Sequence, residues 1–152
     1  MKINLSKKQY RTLVKLIYLG TWLANAHRTD DIIEEFEELE QYIFSFCKDF
    51  GMENDFEYDE SLKRFYLTDE FIENSGIDKL IDEYNLDTFW EELIHMMADK
   101  DLLETYGEKG LKEMDIEKLT EKKILLLDLY EKEFSENGIK NLRVIKGTKT
   151  IQ

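Results

Sequence analysis

A chain of 152 residues, 42% hydrophobic and 12% aromatic, can bury roughly 68–70% of the surface of its unfolded form, which fits one domain with a real core and excludes a disordered chain. Proline is absent and glycine numbers only seven, so nothing supports a strand-rich sandwich, and the one cysteine, Cys47, excludes an internal disulfide framework or a cysteine-cluster zinc site. A net charge of −13 argues against nucleic acid as a partner of the whole chain.

Ser6 and Gln9 have the spacing of a capping box and open a first helix that runs to about Arg28. Within residues 13–26 only Lys15, Thr21 and Asn25 are clearly polar, so this helix is expected to lie centrally in a bundle. Gly20 inside it suggests a close helix crossing. Lys2, Lys7, Lys8 and Arg11 ahead of the apolar run, with Ala24-Asn25-Ala26 behind it, also have the outline of a secretory leader. Lys15 inside the run, Trp22 beside the cut point and the long basic lead oppose that reading. The run also falls short of the ~20 residues that span a bilayer. The expectation is a cytoplasmic protein with no membrane partner.

The second helix, residues 31–50, shows the clearest period: Ile32, Phe36, Leu39, Ile43, Phe46 and Phe50 recur at steps of three and four. Its acids crowd the N-terminal half, where the helix dipole favours them, and Gly51 stops it. Cys47 beside the stripe reads as a small buried hydrophobe rather than a nucleophile. "DFEYDESLKRFYLTDE", residues 55–70, alternates aromatic and charged residues and reads as a short antiparallel β-hairpin, although no Asn-Gly turn marks its centre.

Thr68 or Asp69 then caps a short helix ending at Gly76, and residues 78–84 form another that stops near Asn85. Thr88 with Glu91 begins a long helix to about Lys100, or on to Tyr106, with Phe89, Trp90, Leu93, Ile94 and Met97 on its buried face. Gly107 and Gly110 bracket a loop or single turn. Residues 120–136 form the last long helix, which buries Ile124, Leu126, Leu127, Leu129, Tyr130 and Phe134 and stops at Asn137-Gly138. Residues 142–145 offer a third strand beside the hairpin, and residues 147–152 read as a flexible tail. The expected fold is therefore mainly α: four to five helices and a small hairpin in a single helical domain over residues 1–146.

The charge is segregated. Residues 1–29 carry +6, residues 30–108 carry −21 and residues 109–152 carry +2. The density peaks at residues 30–40, with seven carboxylates in eleven positions. As structure this is the solvated face of an amphipathic helix. As function it is a surface for a basic protein partner, with Glu34, Glu35, Glu37 and Glu38 as its interaction residues. Lys140, Arg143, Lys146 and Lys149 with the N-terminal arm leave room for a minor basic face, a nucleic-acid contact confined to low salt.

Two constellations support a rival reading as an enzyme or metal-binding protein. His27, Arg28 and Asp30 in "WLANAHRTDD" are residues that catalysis recruits, but the same residues also suit a helix end followed by a helix start. Glu92 and His95 form one Glu-x-x-His, half of the pattern that a carboxylate-bridged di-metal bundle needs. No second copy exists, and there is no phosphate loop, His-Glu-x-x-His, Gly-x-Ser-x-Gly or Cys-x-x-Cys. No cofactor is expected, and the leading expectation is a non-enzymatic interaction or regulatory protein.

"YLGTWLANAHR" together with "FWEELIHMMADKDL" resembles small helical bacterial proteins of unassigned function. The resemblance covers about a quarter of the chain and implies no catalytic residue.

Overall fold

The computed structural model describes residues 3–143. Over that span the protein is mainly α, with five α-helices and one two-stranded antiparallel hairpin. In chain order these are α1 (Lys7–Asn25), α2 (Glu34–Phe44), β1 (Phe56–Asp59), β2 (Arg64–Leu67), α3 (Asp69–Ser75), α4 (Ile77–Glu113) and α5 (Ile116–Asn137). The chain forms two compact units, Met1–Tyr84 and Asn85–Gln152.

In the first unit, Ser6 and Gln9 make the predicted capping box at α1. The core gathers Tyr10 and Val14 of α1, Phe44 of α2, Cys47, Met52, Phe56 of β1, Leu67 of β2, Phe71 of α3 and Ile77 of α4. Tyr10 stacks on Phe50 with ring centroids 4.1 Å apart, and its hydroxyl donates to the Ile43 carbonyl at 2.7 Å. Burial pushes the Tyr10 hydroxyl and the Cys47 thiol to higher pKa, so the lone cysteine is an inert core residue.

Several expectations for this unit are corrected. α1 is not enclosed all round: Leu16 and Leu23 are 62% and 55% exposed. Gly20 marks no close crossing, because a Cβ built there meets nothing within 4 Å. α2 starts three residues later than predicted and ends at Phe44, followed by a 3₁₀ segment, Cys47–Phe50, and Gly51 at φ 60°. Phe44, Cys47 and Phe50 are spaced by three, and three residues per turn keeps them on one side. The buried side of α2 is the one that carries Phe44, and Ile32, Phe36 and Leu39 of the predicted stripe are exposed.

The hairpin pairs Phe56 with Leu67 and Asp59 with Arg64. Its four-residue turn is built by Asp59, whose carboxylate accepts from the Ser61 N–H and hydroxyl and from the Leu62 N–H. Those hydrogen bonds hold its pKa below the usual carboxylate range. Lys63 completes the turn in the left-handed region, φ 53°. Thr68 and Gly76 cap α3 as predicted.

Asn85 does not interrupt the helix. With neither glycine nor proline there, residues 78–84 and 88–106 run on as α4, and the break falls at Gly107, φ 65°. α5 starts four residues before the predicted Thr120, because Asp115 caps it by accepting from the Glu117 and Lys118 N–H groups. The helices meet through Trp90 and Phe134, and through the Tyr130 hydroxyl donating to Asp101 at 2.5 Å. Phe89, Ile124 and Leu129, predicted to be buried, are half exposed or more. Leu142 and Arg143 are irregular, so no third strand starts there, while residues 144–145 and the predicted tail lie outside the described residues.

Candidate interaction groove

α2 is placed by two side-chain amides that each bind a backbone at both its donor and its acceptor. Asn25, the last residue of α1, accepts from the Ile33 N–H at 2.9 Å and donates to the Ile33 carbonyl at 3.2 Å. It thereby satisfies the α2 N-cap residue, which has no side-chain cap of its own. Gln41 does the same for β2: its carbonyl accepts from the Phe65 N–H at 2.7 Å, and its NH₂ donates to the Phe65 carbonyl at 3.0 Å. α2 therefore lies along the hairpin.

Between α2 and the hairpin runs a groove of about 520 Å³, lined by Ile32, Glu34, Glu37, Glu38, Gln41, Leu62 and Arg64. Three of the four acids predicted as an interaction surface line it, and Glu35 does not. Arg64 is engaged by Glu37 at 2.7 Å, so Glu34 and Glu38 have no ion-pair partner among the described residues. The Arg64 Nε is buried without a hydrogen-bond acceptor. Ile32 and Leu62, 41% and 61% exposed, supply apolar walls.

Behind this groove Glu40 is mostly buried beside Thr21, Arg64 and Glu37, and its pKa is pushed up to about 7. Burial is the main cause and the Glu37 charge adds to it, against hydrogen bonding with Thr21 and Gln41 and the charge of Arg64. Sequence reasoning missed Gln41, Arg64, Leu62 and Glu40. Arg64 and Leu62 join the site only through the docking of the hairpin turn on α2, which no local pattern signals.

The other candidates do not converge. Arg28 is tied down: its Nε donates to the Ala24 carbonyl at 2.9 Å, and it pairs with Asp31 at 2.6 Å. His27 and Asp30 are exposed. "WLANAHRTDD" is thus a helix end whose polar residues fasten the connection to α2. In the second unit His95 lines a groove with Glu91, Asp128 and Glu131, whereas Glu92 is exposed and outside it. Among the described residues no three His, Cys, Asp or Glu side chains are grouped to hold a metal ion. Nor is any helix long and apolar enough to cross a membrane.

Compared with protein-family models, curated proteins and solved structures, the chain shows no match.

Proposed function

We propose that this is a non-enzymatic, cytosolic interaction or regulatory protein whose α2–hairpin groove receives a lysine or arginine side chain from a basic protein partner. The observation that carries the reading is the groove's composition: three carboxylates against one guanidinium, already paired, between two apolar walls. Lysine and arginine have the complementary form, an apolar stem and a cationic tip. The −21 charge of residues 30–108 would also steer a basic partner towards this region at low salt.

An amide-resolved NMR titration with hexalysine tests the groove directly. The expected result is shifts centred on residues 32–41 and 62–64 that are lost in Glu34→Gln/Glu38→Gln. Shifts spread evenly over all acidic segments, or unaffected by that variant, would reject the groove as a site.

A further inference from the structure

The inward side of α2 carries two carboxylates. Glu37, Glu40 and Phe44 recur at steps of three and four, which places them on one side of the helix. Phe44 is fully buried and both glutamates are half-buried, whereas Glu34, Glu35 and Glu38 are exposed. A carboxylate is uncommon on such a side, because its charged form loses hydration there. Glu37 reaches the groove, but Glu40 does not line it.

The groups around Glu40 leave its charge short of a counterion. From α1 it meets Thr21, only 9% exposed, and lies close to Tyr18. Burial first, then the charges of Glu40 and Asp69, raise the Tyr18 pKa, so that hydroxyl stays neutral. From α2 itself Glu40 meets Glu37 and Gln41, and from β2 it meets Arg64. Gln41 is committed to the Phe65 backbone. Arg64 is the one cation in this set, and it already pairs with Glu37 at 2.7 Å.

Two carboxylates therefore share one guanidinium. With Glu40 protonated, the trio of Glu37, Arg64 and Glu40 is neutral. With Glu40 ionised, the trio holds one negative charge in excess. Glu37 and Arg64 both line the groove, so a cation seated there lies beside that excess charge. Opposite charges in a half-buried setting interact more strongly than they do in water.

We infer that Glu40 is a pH switch for the groove: its ionised form calls for a countercharge that an incoming lysine or arginine supplies, and its protonated form releases that side chain. The switch rests on the groove's taking a basic side chain, as proposed above. Its working range lies near neutrality, because burial, with the Glu37 charge adding to it, pushes the Glu40 pKa up to about 7. By linkage, a cation in the groove favours ionised Glu40 as strongly as ionised Glu40 favours the cation.

Amide-resolved titrations of the wild-type chain and of Glu40→Gln with hexalysine, at pH 6 and pH 8 and constant ionic strength, test this. Lysine keeps its charge over that range. Histidine as a residue type does not, and Glu40→Gln retains both histidines, so it reports their share. The wild type should bind about 5-fold more tightly at pH 8, the lower end of ordinary coupling between sites. Glu40→Gln should bind at both values as the wild type does at pH 6. A second measurement needs no variant: the carboxyl ¹³C shift of Glu40 follows its titration in the wild type. Saturating hexalysine should lower that midpoint by about 0.7 pH, the logarithm of the same ratio. Hexalysine that binds with the same pH dependence in both chains, or that leaves the Glu40 midpoint in place, would overturn the switch while the groove stands. Hexalysine that binds at neither pH would overturn the groove, and the switch with it.

Discussion

Gln41 of α2 holds both backbone groups of Phe65 in β2, accepting at 2.7 Å and donating at 3.0 Å. One side chain thus performs the role of a neighbouring strand for that residue, and it fixes where the hairpin turn lies against the acidic helix. Gln41→Leu fills similar space but leaves the Phe65 N–H and carbonyl without these partners. The expected cost is about 1–3 kcal/mol, read as a lower urea midpoint at unchanged slope. An unshifted midpoint would show that the hairpin docks without the amide.

Glu40 makes stability depend on pH in a defined direction. Its folded-state pKa is raised to about 7, so the folded protein holds this proton more tightly than the unfolded chain does. The favourable contribution is complete below the ordinary carboxyl value and is lost as pH rises through about 7. Glu40→Gln keeps the shape without the charge. It should therefore be more stable than the wild type at pH 8, with the difference shrinking towards pH 4. A difference that is constant across this range would mean that burial does not raise the Glu40 pKa.

Gly20 and Gly51 should respond oppositely to alanine. A Cβ at Gly20 enters open space inside α1, so Gly20→Ala should stabilise the protein by about 0.5–1 kcal/mol through helix propensity. Gly51 ends the 3₁₀ segment at φ 60°, where an L side chain is strained, so Gly51→Ala should destabilise by about 1 kcal/mol. Thermal unfolding of the two variants side by side checks both signs.

Features written in short local patterns were legible in the sequence. The Ser6–Gln9 capping box, Thr68 and Gly76 around α3, and Gly138 after α5 all stand where the spacing predicts. The alternating residues around 55–70 form the hairpin even without an Asn-Gly turn, because Asp59 organises the turn with its own carboxylate. What the sequence did not reveal depends on contacts between distant segments. Phe44 rather than Phe36 reaches the core because α2 rotates to meet α1 and the hairpin, and Asn85 continues a helix because nothing there forbids it. For the candidate site, Glu34, Glu37 and Glu38 were visible as acids on one helix. Their groove became visible only with Leu62 and Arg64, brought from the hairpin turn by the Gln41–Phe65 pair.

The most direct test of a basic partner for the α2 groove compares affinity capture from host lysate by the wild-type chain and by Glu34→Gln/Glu38→Gln. Captures run at about 0.1 M and 1 M salt, where screening lengths are roughly 10 Å and 3 Å. The account predicts a basic protein held by the wild type at low salt, released at high salt, and not captured by the variant. An identical set of captured proteins for both chains at low salt would contradict it.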